Sequence, residues 1–399
     1  MRRVRALLAL GAALAMIGAA CGNDGGGSDK VFDSVGDGEG ELKLVAWNGY
    51  VESGATEGFD WVTPFEKETG CKVSVKYADT SPQMVTLMRQ GGGSVYDGVS
   101  ASGNATDLLI AHGDVAGVDV EKIIPDYDKI VMTSLKAPAH NTVDGVHYGV
   151  PYMWGPNFLM YNPDVVTTKP TSWDVVFEPT LDGQPNPYAG KITAYNDAIY
   201  IADAALYLKA HQPDLGITDP YELTDEQLAA AVDLLKGQNP MISKYWALYS
   251  DEEDGFNSGD MVVGTAWPVN YSYIKADEKV PVEFVFPSEG MTGWADTWMM
   301  SSNAPHPNCM LKWMQWTMKP EVQVQVAEFY GATPSIKTAC DQLRKDIGPD
   351  ADTAYHCGDD EFLDSIELWK VPVPDCGNGK EECADLGEWT DQWTAITAG

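Results

Sequence analysis

Basic side chains are scarce in this chain of 399 residues. It has 26 Lys and Arg against 59 Asp and Glu, which gives a formal net charge of −33. Nucleic acids and acidic membrane surfaces are polyanions, so this balance argues against both as partners. Two interpretations of the negative charge remain: it attracts cationic ligands, or it forms an acidic surface that aids solubility.

Catalytic motifs are also missing from the sequence. The six histidines form no HExxH, and neither a GxSxG elbow nor a P-loop occurs. We therefore expect no enzyme, no metal and no cofactor. A hydrolase remains the alternative from the enzyme class, and a purely structural protein is the third possibility.

Long apolar runs are absent except near the N-terminus. Residues 6–20 are uncharged and apolar, follow three arginines and span about 15 residues, which is short for a membrane helix and typical of a signal peptide. Small residues precede Cys21, which resembles a bacterial lipoprotein signal, although Gly18 replaces the usual leucine. The alternative is ordinary secretion with an unmodified cysteine.

These features predict how the chain is exported. We expect residues 1–20 to be a signal peptide and Cys21 to hold a lipid on the outer face of the cytoplasmic membrane. Residues 21–40 are rich in Gly, Asp and Ser and predict a flexible tether, because they have few apolar groups to offset the entropy of ordering.

Six cysteines remain when Cys21 is set aside, an even number that indicates disulfides in an exported protein. Fifteen pairings are possible. Short loops favour Cys340–Cys357 and Cys376–Cys383, which leaves Cys71 for Cys309. A zinc site is disfavoured because no CxxC occurs.

The hydrophobic pattern predicts an α/β protein of two domains, given its length. Helices and strands alternate near the start, which favours a largely parallel sheet with helices on both faces. We expect strands at 41–47, 72–78, 96–102 and 260–267, and helices at 60–70, 83–90, 309–318 and from 320 to about 330. A further helix should begin at a capping box of Thr224 and Gln227.

Several motifs, in order along the chain, are similar to one family. They are Trp47 with Tyr50, FEKETGCKV (65–73), YGVPYMWG (148–155), TSW (171–173), GDMVVGTAW (259–267), EGMTGWADTW (289–298) and MKPEVQVQVAEFYGATP (318–334). Together they resemble the extracellular solute-binding proteins of bacterial ABC importers, in the spermidine/putrescine branch. The resemblance implies a type II two-lobed periplasmic-binding-protein-like fold, with a ligand cleft between lobes that close on the solute.

The resemblance also implies domain boundaries and partners. Lobe 1 would comprise residues 41–143 and 291–330, and lobe 2 residues 144–290 and 331–399. The partners would be a small cationic amine and the membrane permease of an importer. We expect a monomer that touches the membrane only through its lipid.

The residues independently favour binding of a cation. An ammonium in a cleft needs a carboxylate to offset its lost hydration, and each aromatic face adds about 0.5–2 kcal/mol by cation–π attraction. The chain has 13 Trp and 18 Tyr, many of them beside loops that follow strands.

The resemblance assigns roles within the cleft. Asp296 would be the main partner of an ammonium, with a helix N-cap as its alternative role, and Asp197 the second partner, with a plain loop position as its alternative. The aromatic walls and polar neighbours implied by the resemblance are Trp47, Tyr50, Trp267, Trp294, Ser102 and Asn104, with Tyr195 or Tyr200 closing the cage.

Three departures from the family pattern limit the charge of the ligand. Gly49, Tyr200 and Asn270 stand where acidic residues are usual, which leaves two expected carboxylates. A ligand with fewer charges than spermidine fits this count: putrescine, a quaternary ammonium or a zwitterionic amino compound. Asp203 or Glu289 could instead supply further charge.

Overall fold

The structure is a computed structural model that describes residues 30–353, 355–377 and 382–398. The expected signal peptide at 1–20 and the expected lipidation site Cys21 lie outside the described residues, as does the first part of the expected tether.

Two mixed β-sheets organise the chain into two lobes. The first sheet, which defines lobe 1, contains Val31–Phe32, Glu41–Trp47, Lys72–Ala78, Gly98–Ala101, Val115–Val118, Thr142–Val143, Val146–His147, Val150–Pro156, Met291–Ser301, Thr333–Pro334 and Ile366–Leu368. The second sheet, which defines lobe 2, contains Phe158–Tyr161, Ile192–Tyr195, Ile242–Trp246, Val263–Ala266 and Glu283–Val285. A separate ribbon pairs Thr180–Leu181 with Gln184–Pro185. The two-lobed α/β fold expected from the sequence is confirmed.

Parallel pairing occurs where the sequence alternates between strand and helix. Glu41–Trp47 runs parallel to Lys72–Ala78 and Gly98–Ala101, and Ile192–Tyr195 is parallel to both of its neighbours. The strands that join the lobes pair antiparallel instead. Both sheets therefore combine the expected parallel order with antiparallel strands.

Helices flank both sheets. The α-helices are Val62–Thr69, Ser81–Met88, Gly103–Ala111, Val120–Ile123, Tyr127–Ile130, Asp174–Phe177, Ile201–His211, Asp225–Gln238, Tyr249–Ser258, Pro268–Asp277, Pro307–Thr317, Pro320–Tyr330, Lys337–Asp346, Asp350–Thr353, Asp360–Asp364 and Leu386–Thr397. Short 3₁₀ turns occupy Gln90–Gly93, Thr133–Leu135, Ala198–Tyr200, Pro213–Leu215 and Asn239–Met241. The capping box of Thr224 and Gln227 is present at the start of Asp225–Gln238.

Two long strands form the hinge between the lobes. Val150–Pro156 pairs antiparallel with Met291–Ser301. The chain enters the second sheet directly after the first of these strands, at Phe158–Tyr161, and returns to the first sheet through the other. We call this pair the hinge strands.

The hinge strands correct the expected lobe boundaries. Residues 146–156 belong to the first sheet, so the first crossing lies near residue 157 and not at 143. Thr333–Pro334 and Ile366–Leu368 also join the first sheet, whereas the final helix packs against lobe 2. Strand pairing decides to which lobe each segment belongs. The sequence alone did not show this, because the paired strands lie far apart along the chain.

Residues 30–40 correct part of the expected tether. Val31–Phe32 pairs in parallel with Gly117–Val118, and the Glu39 carboxylate accepts hydrogen bonds from the backbone nitrogens of Asn308 (3.0 Å) and Cys309 (2.9 Å). A few specific contacts hold this polar segment in place. Its composition alone therefore wrongly predicts a flexible tether.

Three disulfides join the expected pairs: Cys71–Cys309, Cys340–Cys357 and Cys376–Cys383. The first ties the strand Lys72–Ala78 to the helix Pro307–Thr317 across 238 residues of chain, within lobe 1. Within the described ranges, no helix combines the length and apolar character needed to cross a membrane.

Candidate ligand-binding cleft

The carboxyl ends of strands from both sheets meet in a cleft between the lobes. Trp47 ends a strand of lobe 1, and Trp267 follows a strand of lobe 2. Open α/β sheets bind ligands at this edge, because the loops that follow their strands converge there.

The cleft contains two small chambers that share one wall. Both chambers are narrow in this structure: the cavity volume is about 10 Å³ beside Asp296 and about 20 Å³ beside Asp197. Trp47, Trp267 and Trp369 line both chambers. The Asp296 chamber is completed by Ser102, Trp294, Asp296 and Tyr330, and the Asp197 chamber by Asp79, Thr80, Ser81, Tyr195, Asn196, Asp197, Trp246 and Ala247.

Asp296 lies inside an eleven-residue hinge strand, which excludes the alternative of a helix cap. Its side chain is buried and accepts hydrogen bonds from the hydroxyls of Tyr50 (2.5 Å) and Ser102. Burial raises the pKa of Asp296 to about 6, although the hydroxyl donors and the Trp47 side chain act in the opposite direction. The carboxylate is thus held in a fixed orientation and costs free energy when ionised without a cation.

Asp197 serves two roles at the other end of the cleft. Its Oδ1 accepts a hydrogen bond from the backbone nitrogen of Ile199 (3.0 Å) and so caps the turn Ala198–Tyr200. Burial raises the pKa of Asp197 to about 6. The carboxylate also lines its chamber, so the cap and the cleft position coexist.

Aromatic rings separate and enclose the two carboxylates. The rings of Trp246 and Trp267 lie 4.5 Å apart, and Tyr195 contacts Trp267 (5.9 Å) and Trp369 (5.7 Å). The indole nitrogens of Trp267, Trp294 and Trp369 are buried and have no hydrogen-bond partner among the described residues. The walls therefore offer both aromatic faces and free donors.

No lysine or arginine of the described chain lines either chamber. The charged lining residues are all acidic: Asp79, Asp197 and Asp296. The arrangement is suited to a positively charged solute.

The sequence analysis misses eight lining residues: Trp369, Tyr330, Asp79, Thr80, Ser81, Asn196, Trp246 and Ala247. Trp369 follows the strand Ile366–Leu368, and its backbone nitrogen donates to the carbonyl of Gly293 (2.8 Å), which brings it beside the hinge. Tyr330 ends the helix Pro320–Tyr330, which the resemblance quotes only as a general signature. Asp79 follows a strand end, and that position is the one signal that could have identified it.

Tyr330 explains one departure from the family pattern. Gly49 has φ +98°, and a Cβ built there would lie 2.9 Å from the Tyr330 ring. The ring fills the space that a side chain at residue 49 would need, so an acidic residue does not fit there.

Five expected or considered residues do not line the chambers: Tyr50, Tyr200, Asn104, Asp203 and Glu289. Tyr200 is buried behind Tyr195 and accepts a hydrogen bond from Gln238 (3.0 Å), while Asn104 accepts one from Ser81 (3.0 Å). Both are corrections, because packing turns them away from the cleft.

The two proposed compensating acids are engaged elsewhere. Asp203 accepts from Tyr195 (2.5 Å) and Thr292 (2.9 Å). Glu289 is bonded to Ser172 and His211. Neither lines a chamber.

Tyr50 supports the site from behind. It is fully buried and is not among the residues that line either chamber, but its hydroxyl orients Asp296. The burial of Tyr50 and the charge of Asp296 raise the pKa of the phenol well above its usual value, so it remains a donor.

A larger groove elsewhere is a poorer candidate site. It has a cavity volume of about 380 Å³ between Phe158, Phe284 and Phe362. Its charged side chains, Lys275 and Glu328, are exposed and of opposite sign, and it has no buried carboxylate.

Residues 60–351 match the family of bacterial extracellular solute-binding proteins. The match spans most of the chain, so the protein belongs to this family. It is therefore an extracellular solute-binding protein, and the two-lobed fold and the cleft are those of that class.

Individual members of the family with similar sequences include two polyamine-binding proteins. The spermidine/putrescine-binding periplasmic protein of Escherichia coli K12 is 27% identical over 320 residues, which cover 78% of this chain and 84% of that protein. The putrescine-binding periplasmic protein SpuD of Pseudomonas aeruginosa is 25% identical over 326 residues, covering 77% and 82%.

Solved structures share the fold. A putative spermidine/putrescine ABC transporter protein from Listeria monocytogenes superposes with a TM-score of 0.71 at 20% identity, over 90% of this chain and 98% of that one.

Proposed function

We propose that this protein captures a small cationic amine, a polyamine such as putrescine or spermidine, and delivers it to the permease of an ABC importer. The observation that carries the proposal is the pair of acidic chambers, with Asp296 in one and Asp197 in the other, separated by shared indole walls. Polyamines are bound by the named relatives, which adds support.

The chemistry of the site matches an alkyl diamine. Each ammonium would gain a carboxylate that repays its desolvation, and the methylene chain would pass along Trp47, Trp267 and Trp369. Trp294 would add an aromatic face beside Asp296.

Ligand binding would favour the closed arrangement of the lobes. Asp296 belongs to lobe 1 and Asp197 to lobe 2, so a ligand that contacts both stabilises their approach. The closed form is the one that the permease would recognise.

A zwitterionic amino compound, such as γ-aminobutyrate, or a quaternary ammonium such as choline or betaine is the second candidate. The observation that favours a zwitterion is the set of unpartnered indole N–H groups, since a ligand carboxylate accepts hydrogen bonds and an ammonium does not. An aromatic cage alone would suit a quaternary ammonium.

We further propose that the protein acts as a monomer without catalytic activity, held at the membrane by a lipid on Cys21. Replacing Cys21 by serine should release the protein from the membrane fraction. Retention of the variant in that fraction would contradict the lipid anchor.

Isothermal titration of the purified protein tests the solute. The panel comprises putrescine, spermidine, spermine, choline, betaine, γ-aminobutyrate and glucose. We expect heat with the polyamines only, and a ligand at 100 times its Kd should stabilise the fold by about 2.7 kcal/mol in a melting assay. Binding of only the zwitterion or the quaternary ammoniums would support the second candidate, and binding of glucose alone would discard both.

A further inference from the structure

Asp79 and Asp197 line the same chamber from opposite lobes. Asp79 follows the strand Lys72–Ala78 of lobe 1 and lines the Asp197 chamber, whereas Asp197 reaches that chamber from lobe 2. The sequence analysis counted two carboxylates in the cleft, and this residue is a third.

The backbone at Asp79 is held independently of its carboxylate. Its nitrogen donates to Oε1 of Gln83 (2.6 Å), and Thr80 caps the helix Ser81–Met88 by accepting from the Gln83 nitrogen (3.3 Å). The carboxylate itself is exposed and pairs with no cation or donor in the described part of the chain. It is therefore free to interact with a ligand.

The Asp197 chamber has unmet interactions on several sides. Within the described residues, Asp197 accepts one hydrogen bond, from the backbone nitrogen of Ile199, and the Asp79 carboxylate accepts none. Two like charges that approach across closing lobes repel each other unless a cation lies between them. The chamber is thus incomplete without a bound group.

Resting on the proposed function, we infer that Asp79 is a specificity-determining residue that selects dications. One ammonium lies between Asp79 and Asp197 and joins the two lobes, while Asp296 binds the other ammonium. Asp79 thus supplies a third carboxylate to a cleft that has no acidic residue at positions 49, 200 and 270, where the family usually has one.

This arrangement distinguishes a diamine from a monoamine. A monoamine neutralises one chamber and leaves the carboxylates of the other without a partner. A diamine of sufficient length neutralises both and keeps the lobes together. The preference is electrostatic, so added salt should reduce it, since Asp79 is exposed at the edge of the chamber.

Calorimetry with 1,4-diaminobutane and 1-aminobutane tests the inference. The wild type, Asp79→Asn and the control Glu57→Gln are titrated at pH 7.5 in low salt. Glu57 is an exposed acid of lobe 1 outside both chambers. We expect Asp79→Asn to weaken diamine binding by about three- to tenfold and to reduce the preference for diamine over monoamine, whereas Glu57→Gln keeps both.

The outcomes separate this inference from the proposed function. An unchanged preference in Asp79→Asn, with diamine binding still lost in Asp296→Asn, would overturn the role of Asp79 and leave the proposed function standing. Equal losses in Asp79→Asn and Glu57→Gln would reduce the effect to net charge and also overturn it. A wild type that binds no amine would overturn both.

Discussion

Asp296 combines opposing influences on its ionisation. Burial favours the neutral acid, whereas the hydroxyls of Tyr50 and Ser102 favour the carboxylate. A cation placed in the chamber would add to the second influence and complete the ionisation. The proposed function therefore assigns to Asp296 the binding of a cation.

The variant Asp296→Asn tests that assignment. The amide has the same shape and keeps one oxygen to accept from one hydroxyl, whereas its NH2 group donates to the other. It has no charge, so we expect amine binding to weaken by more than about tenfold. Thermal stability should stay equal or rise slightly, because a buried ionisable group is removed. Calorimetry and a melting curve at pH 7.5 measure the two effects.

An exposed acid provides the matched control for this change. Asp254→Asn removes the same charge from the surface of the helix Tyr249–Ser258 and should alter neither quantity. A large loss of stability in Asp296→Asn with unaltered affinity would make Asp296 a structural residue.

The affinity for the amine should increase with pH. Asp296 and Asp197 both have a pKa raised to about 6 in the free protein, so at pH 5 most molecules must lose protons before a cation binds. Between pH 5 and pH 7.5 the dissociation constant should therefore fall and then level off. Titrations at pH 5.0, 6.0 and 7.5 measure this; a constant affinity, or one that improves in acid, would contradict it.

The sequence predicted the site residues that lie in family motifs. It did not predict the residues that the pairing of distant strands brings to the site. Asp296, Trp294 and Trp267 lie in segments with a family pattern, and the structure brings them together. Trp369 and Tyr330 join the same chamber from the C-terminal third of the chain. Their positions depend on the pairing of distant strands, which local sequence does not encode.

At the scale of elements, one segment links both lobes near the cleft. We call residues 366–371 the strap. Its Lys370 pairs with Asp219 (2.6 Å) and Glu222 (2.7 Å) of lobe 2, while the backbone nitrogen of Val371 donates to Asp107 of lobe 1 (3.1 Å). Trp369 lies between these anchors, so the strap determines where the shared indole wall sits.

Weakening the strap should reduce ligand affinity. In Lys370→Met the ion pairs with Asp219 and Glu222 are lost, and Trp369 becomes less fixed. Because Lys370 is about one-third exposed, we expect only a two- to fivefold increase in the dissociation constant. This increase corresponds to a loss of about 0.5–1 kcal/mol of binding free energy. Calorimetry at low salt measures it.

A lysine on lobe 1 distinguishes this effect from a general change in charge. Lys319→Met breaks an exposed pair with Glu68 that lies outside both chambers and should leave affinity unchanged. Equal affinities for Lys370→Met and the wild type would show that the strap does not position Trp369.

Local signals predicted elements better than they predicted contacts between elements. The capping box at Thr224 defines a helix start through adjacent residues, and the short loops favoured two disulfides correctly. The expected tether was wrong for residues 30–40 because one carboxylate, Glu39, bonds to a helix about 270 residues away. Composition reports average tendencies and not such single contacts.

At the scale of the whole molecule, a group of buried aspartates favours the protonated form. The chain has a formal net charge of −33, and burial raises the pKa of four aspartates to about 6 or 7: Asp107, Asp197, Asp203 and Asp296. An unfolded aspartate has a pKa of about 3.9. Between these values each of the four aspartates holds more protons in the folded state than in the unfolded state. Together they outweigh His140, which acts in the opposite direction because burial lowers its pKa to about 4.

The ligand-free protein should therefore lose stability as pH rises from about 4 to 7, because the unfolded state releases protons more readily in that window. Repulsion among the surface carboxylates acts in the same direction. We expect the melting temperature to be higher at pH 5 than at pH 7.5 by about 2 °C or more. A saturating amine should narrow the difference, because it binds the ionised carboxylates and stabilises the protein most at pH 7.5. Melting curves with and without putrescine at both pH values measure this. A ligand-free protein with a higher melting temperature at pH 7.5 than at pH 5 would contradict the raised pKa of these aspartates.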